Sequence, residues 1–363
     1  MATNLHESLL QLVRLGIGTS NDVTIPKDID WVELKALAER QGLSAIVLDG
    51  LNRLSLSSID DHGLSQLLRL EWIGEVLQGE AQFKVQWKAA KKMAEYFDEN
   101  GIRTYVLKGF VVSECYPKPE HRVSSDMDCF LLTKGGDEDV WEKGNQLIEK
   151  KGYTVGRGFY KNSSFHLPGL LVENHKFLTP FRGNKKLKQL EKFLQIGLWN
   201  DGSEDRFEGV PLYRPPVMVS ALFLVEHAYS HFLHEGLTWR MVLDWVMFMK
   251  KHKKELDWLT FEALVDEFGF RKFYDSYTCL GEYLNGEIQE FNGLSVQDRR
   301  MLEDVWAPLD LHETLLGAKG KLALAGNTFR ARWKYRYFTD MNWMKALWIQ
   351  VKGFLFEKHP ELY

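Results

Sequence analysis

Cysteine is scarce in this chain: Cys115, Cys129 and Cys279 are the whole complement of 363 residues. An odd, scattered set offers no disulfide framework and no Cys-x-x-Cys metal spacing, which suits a reducing compartment. Long apolar runs are absent too, and none reaches the roughly 18 residues of a membrane-spanning helix, so no membrane role is expected. The opening MATNLHESLL lacks the basic-then-apolar order of a secretory signal, and a cytoplasmic location is the expectation. Charge of one sign is also missing. A formal net charge of −4 gives no global attraction to nucleic acid or anionic lipid, so such binding would need a local patch. There is no internal repeat and no low-complexity segment. What remains is an ordinary globular composition, long enough for two or three domains with a core in each.

Apolar periodicity divides the chain. Residues 1–100 read as a helical region. A short amphipathic run covers 7–15, and Asp30-Trp31-Val32-Glu33 resembles a capping box opening a helix that stops near Gly42. From Leu64 to Asn100 apolar residues recur at helical spacing, with Gly74 and Gly79 as places for a kink. The period then changes. Strands are predicted over 102–107, 125–132, 153–155, 164–167 and 170–178, with helices over 110–115 and 137–150. Mixed elements in this order predict an α+β core over 101–182. The polar stretch 183–216 reads as a linker or surface excursion. Residues 217–363 read as a C-terminal helical domain, with helices over 218–232, 238–250 and 260–267 and further segments as far as Phe356.

The chemistry concentrates in TYVLKGFVVSECYPKPEHRVSSDMDCFLL, residues 104–132. An apolar strand ends on Lys108-Gly109, Arg122 stands alone, and the next strand carries Asp126-Met127-Asp128. Side chains two apart on a strand share one face, about 7 Å apart, so both carboxylates suit one metal ion or a metal pair. A third acid is needed for two-metal phosphoryl transfer. Glu173 in LLVENHKFL shares a face with Leu171 and His175 and fits that place if its strand lies beside the Asp pair. Lys108 and Arg122 would neutralise phosphate charge, and the Gly109 amide at a helix start would donate to a phosphate oxygen.

VLKG, YPKPEHR, SSDMDCFLL and the later VENH together resemble an uncharacterised bacterial nucleotidyltransferase family of the DNA polymerase β-like nucleotidyltransferase superfamily. WVELKALAERQGL is similar to the helix before the core in such proteins, and ALFLVEHAYSH with LTWRMVLDW to the helical pair after it. The resemblance implies a minimal mixed-sheet core flanked by N- and C-terminal helical regions, Mg²⁺ or Mn²⁺ as cofactor, and an NTP as donor substrate. It also implies Asp126 and Asp128 as metal ligands, with Glu173 as the third carboxylate. Lys108-Gly109 stands where the superfamily carries Gly-Ser, and Asn174 where an apolar residue is usual. The acceptor is not implied. A small molecule, glycan or protein hydroxyl is expected, rather than long nucleic acid. Two alternatives stay open: a catalytically silent nucleotide-binding or interaction module, and a toxin-like enzyme that modifies RNA.

Other residues invite a role. His227, His231 and His234 fall at i, i+4 and i+7 on one predicted helix, after Glu226. That face has zinc-like spacing but lacks the HExxH pattern. The plainer reading is a polar face over the cleft, with His227, His231 or the strand residue His175 near substrate, or with the histidines bonded to carboxylates such as Asp244. FRARWKYRYF (329–338) interleaves cations with aromatics, as a stacking platform for single strands does. Packed aromatics with solvated cations give the same pattern.

Overall fold

The structure, a computed structural model, describes residues 4–21, 23–54, 63–133, 140–157, 160–181, 183–203, 205–207, 209–288, 294–307 and 329–348. The helical segments expected between 308 and 328 and beyond 348 lie outside the described residues.

Among the described residues four helices precede the sheet: α1 (Asn4–Ile17), α2 (Trp31–Arg40), α3 (Ser44–Arg53) and α4 (Gln66–Glu99). Asp30 caps α2 as its sequence suggests, accepting from the Val32 and Glu33 amides. Glu33 itself pairs with Arg40 at 2.9 Å. Helix α4 runs unbroken for 34 residues, so Gly74 and Gly79 do not interrupt it. A glycine costs a helix only about 1 kcal/mol, which a long, partly packed helix absorbs.

The sheet follows. Its strands are β1 (Ile102–Val106), β2 (Asp126–Thr133), β3 (Val155–Gly156), β4 (Asn162–Leu167), β5 (Leu170–His175) and β6 (Leu212–Tyr213). Between them lie the four-residue helix α5 (Phe110–Ser113), a 3-10 turn (Pro119–His121), α6 (Val140–Lys150) and α7 (Lys185–Trp199). The strand order is β3-β4-β5-β2-β1-β6. β2 runs parallel to β5 and antiparallel to β1, β1 runs parallel to β6, and β4 is antiparallel to both β3 and β5. The expected α+β core with a mixed sheet is therefore present. The polar segment read as an excursion is not all loop. It carries α7, whose Leu187, Leu190, Leu194 and Leu198 are buried at helical spacing, and the edge strand β6. Its many lysines and glutamates mask that apolar stripe when composition alone is considered.

Helices α8 (Val217–His234), α9 (Trp239–His252), α10 (Trp258–Phe268), α11 (Arg271–Asn285), α12 (Val296–Trp306) and α13 (Arg332–Phe338) follow the sheet. One face of the sheet (Val106, Met127, Cys129, Leu131 and Val172) packs with Ala89, Ala90, Met93, Ala94 and Phe97 of α4. The alanines keep that interface thin. The other face contributes Tyr105, Phe130 and Tyr213 to a larger core shared by the N- and C-terminal helices. Two side chains bind those helices together. Arg14 of α1 donates to the Tyr283 and Leu284 carbonyls at the end of α11, at 2.7 and 2.8 Å. Buried Gln41 accepts from the Trp239 amide at 2.7 Å and donates to the Val305 carbonyl at 3.0 Å. Helices α1–α3 and the C-terminal helices are thus one layer in space, on the face that carries the acidic side chains and opposite the C-terminal half of α4.

Candidate active site

Register brings the acids together. In the parallel β2–β5 pair Asp126 stands opposite Leu171, Asp128 opposite Glu173 and Phe130 opposite His175. Residues paired across parallel strands point to the same face, with strands about 4.8 Å apart. Asp128, Glu173 and His175 each offer a ligand atom within 4.8 Å of the others. Among the described residues this is the one such group of three. Asp126 shares the face but not the group, because its neighbour across the ladder is Leu171. Its Oδ1 accepts instead from the Ser125 hydroxyl at 3.2 Å.

The buried Asp128 carboxylate anchors the arrangement. Its Oδ1 meets His175 Nε2 at 3.0 Å. Among the described residues its Oδ2 has no hydrogen-bond partner, and the Lys108 ammonium lies 3.4 Å away. Burial alone would raise the Asp128 pKa, but Lys108 and then His175 hold it well below the usual carboxylate range. Burial opposes charge on His175 as well; hydrogen bonds to Asp128 and Glu173 outweigh it and raise the pKa. Two carboxylates and an imidazole, with one carboxylate oxygen buried and making no hydrogen bond among the described residues, are a donor set that fits a divalent cation.

Lys108 leaves the end of β1 and donates to His227 Nε2 at 2.7 Å. An ammonium only donates, so Nε2 carries the lone pair. Burial, with Lys108 and His231 nearby, keeps the His227 pKa well below its ordinary value. His231 lies one turn on, its ring 4.4 Å from that of His227, and pairs with Glu235 at 2.8 Å. These contacts place α8 across the open side of the acidic strands. A cleft of about 360 Å³ remains between them, lined by Lys108, Asp126, Asp128, Glu173, His175 and His227 among others.

Two expected phosphate contacts read differently in three dimensions. Arg122 lines the cleft but is fully buried, with Nε and Nη2 on Asp244 of α9 at 2.9 and 2.7 Å. Among the described residues only its Nη1 lacks a hydrogen-bond partner. Asp244, expected to bond the histidines, is taken up by Arg122 and by the Tyr116 hydroxyl, which donates to it at 2.7 Å. Gly109 does not line the cleft. Its φ of 69° and ψ of −107° explain the glycine through backbone geometry, and the helix after it is a single turn.

Lys161 was not foreseen. It lines the cleft from the residue before β4, and no carboxylate lies within ion-pair distance of it among the described residues. The Pro168-Gly169 turn held the signal. Counting back across that hairpin pairs Asn162 with His175 and so places Lys161 at the site. Glu226 was foreseen only as part of a polar helix face. It is fully buried, neither oxygen has a hydrogen-bond partner among the described residues, and burial raises its pKa to about 7. In the basic-aromatic run Tyr335 and Phe338 are buried, and Lys334 is paired with Asp304 at 2.7 Å. Arg330, Arg332 and Arg336 face solvent. One side of the run is thus packed helix, while Arg330, Arg332 and Arg336 line an open groove with Trp333 and Tyr337.

A family model described as an uncharacterised nucleotidyltransferase matches residues 27–285. The chain belongs to this family. The match takes in helices α2 to α11 and all six strands described, and it makes the protein an enzyme of the nucleotidyltransferase kind. No curated protein and no solved structure matches the chain. Among the described residues no helix of this nucleotidyltransferase is long and apolar enough to cross a membrane.

Proposed function

We propose that the enzyme transfers a nucleotidyl group from an NTP to a hydroxyl-bearing acceptor in a divalent-metal-dependent reaction. The observation that carries this reading is the pairing of Asp128 with Glu173 on adjacent parallel strands, at a cleft that also holds Lys108. Asp128 and Glu173 would hold the cation. When bound, it would polarise phosphate oxygens and lower the pKa of the acceptor hydroxyl.

The chain's own groups have definable tasks. The transfer makes a bond from the acceptor oxygen to the α-phosphorus and breaks the bond to pyrophosphate. Negative charge grows on the leaving group, and Lys108 and Lys161 stand at the cleft to offset it. His227 takes one Lys108 donor, and the Asp128 carboxylate lies on another side. The ammonium is thereby fixed in direction, with capacity left for a phosphate oxygen. Arg122, held by Asp244, has one further nitrogen for the same ligand. Asp126 lies two ladder positions along and lines the same cleft. The α8 layer limits the cleft to a volume that suits a nucleotide and a small acceptor group rather than a duplex.

The test uses NTPs labelled at the α- or γ-phosphate, Mg²⁺ or Mn²⁺, and fractionated lysate. Label should move from the α-labelled nucleotide alone, and Asp128→Asn should stop it. Transfer of the γ-label instead would make the enzyme a kinase. Transfer unaffected by Asp128→Asn would remove the site from the reaction.

A further inference from the structure

We infer that His175 completes, with Asp128 and Glu173, a mixed nitrogen-and-oxygen site that takes one first-row transition ion of the Mn²⁺, Co²⁺ or Zn²⁺ class in preference to Mg²⁺. Asp126 stands outside it. The inference rests on the metal-dependent reading above and narrows it to a ligand set and a class of ion.

The orientation of the His175 ring is the first support. Its Nδ1 lies 3.1 Å from the Phe177 carbonyl oxygen. A carbonyl only accepts, so Nδ1 carries the hydrogen, and Nε2 is the nitrogen turned toward the carboxylates. That Nε2 is 3.0 Å from Asp128 Oδ1 and 3.7 Å from Glu173 Oε2. Metal-binding histidines are held in this way, with the second ring nitrogen donating to a backbone carbonyl or carboxylate. The chain turns directly after β5, and this brings the carbonyl two residues ahead back onto the ring.

The second support is independent of the ring. Asp128 Oδ2 is buried and makes no hydrogen bond among the described residues; its charged neighbour is the Lys108 ammonium, 3.4 Å away. The Asp128 side chain is 4% exposed, whereas that of Glu173 is 32% exposed. The donors therefore form a half-closed cup with its open side at Glu173, where a substrate oxygen can enter.

The donor types select the ion. Mg²⁺ demands near-octahedral oxygen ligands and keeps several waters. An imidazole nitrogen in a buried cup is poorly matched to it. Imidazole suits Zn²⁺ and its neighbours, while carboxylates extend the range to Mn²⁺. Asp126 is separated from this group by the register, since the ladder sets it against Leu171.

Pulsed electron paramagnetic resonance on the full-length protein loaded with Mn²⁺ tests the ligand set without mutation. Coupling to one imidazole nitrogen is expected; its absence overturns the inference. Calorimetry with Mn²⁺, Zn²⁺ and Mg²⁺ on the metal-free protein tests the preference. Mn²⁺ and Zn²⁺ should bind at least about tenfold tighter than Mg²⁺. His175→Gln should lose that advantage, since losing even an outer-shell partner costs roughly 10–100-fold in affinity. Asp126→Asn should keep it. Equal or tighter Mg²⁺ binding, or an Asp126→Asn loss as large as that of Asp128→Asn, would refute the assignment. None of these readouts involves nucleotide. Nitrogen coupling with no transfer from any NTP would leave the metal site standing and remove the transferase reading. Transfer with Mg²⁺ and no nitrogen coupling would do the reverse.

Discussion

Replacing Asp244 by alanine should destabilise the enzyme severely, although Asp244 lies far in sequence from the acidic strands. Arg122 is fully buried, and both of its bonds to Asp244 are shorter than 3.0 Å. The Tyr116 hydroxyl depends on the same carboxylate. Asp244→Ala leaves a guanidinium and a phenol in the interior with nothing to bind. Removing one partner of a buried ion pair costs about 3–5 kcal/mol. An orphaned hydroxyl adds about 1–3 kcal/mol, and the two overlap because they share one network. A loss of about 4–5 kcal/mol is a large part of the roughly 5–15 kcal/mol that domains possess. With a urea slope of about 3 kcal/mol per M, the unfolding midpoint should fall by about 1.5 M, followed by tryptophan fluorescence. The triple variant Tyr116→Phe/Arg122→Met/Asp244→Leu removes every polar member and should recover most of the loss, because the desolvation cost of the pair disappears as well. It should also weaken NTP binding, since Arg122 Nη1 goes with it. An Asp244→Ala midpoint equal to wild type would show that the network carries no stability. A triple variant as unstable as the single would place the effect in packing rather than charge.

Further outcomes follow from other contacts. Buried His121 bridges Asp49 at 2.6 Å and Glu80 at 2.8 Å; burial opposes its charge, but the two carboxylates raise its pKa above the ordinary value. Its stabilisation is thus complete below about pH 6.5 and is lost as pH rises through the higher folded value, so urea midpoints of wild type and His121→Gln should converge toward alkaline pH; a gap that widens would contradict this. A Cβ on Gly50 would lie 2.1 Å from the Leu12 carbonyl oxygen. Gly50→Ala should therefore force α1 from α3 and cost about 1–3 kcal/mol, read as a lowered thermal midpoint. Glu173→Gln should slow nucleotidyl transfer by about 100-fold or more, the upper loss seen even for outer-shell partners of metal sites. NTP affinity should change little in the same variant, and a loss of affinity with turnover intact would contradict its role. Generic RNA should bind weakly at physiological salt, because the formal net charge is −4 and Lys334 of the one basic-aromatic run is spent on Asp304. Tight binding that falls steeply with salt and vanishes in an Arg330/Arg332/Arg336 alanine variant would restore the RNA-modifying alternative.

Local physics made much of this legible in the sequence. Asp30 caps its helix because the side-chain oxygen meets amides two and three residues on, and no distant contact is needed. The alternation in SDMDCFLL places Asp126, Asp128 and Phe130 on one face whatever the strand pairs with. The same period puts Glu173 and His175 together. Tertiary structure decided which of these residues meet. The parallel β2–β5 register pairs Asp128 with Glu173 and sets Asp126 against Leu171, and a shift of two residues would leave every pattern in the sequence unchanged. Arg122 reads as a free cation along the chain because its partner, Asp244, arrives from a helix 122 residues later. Lys161 reads as a loop lysine until the hairpin carries it back beside His175. Side-chain period is a property of one strand, fixed by backbone geometry, whereas ion pairing and ladder register are properties of two segments brought together only when the core closes.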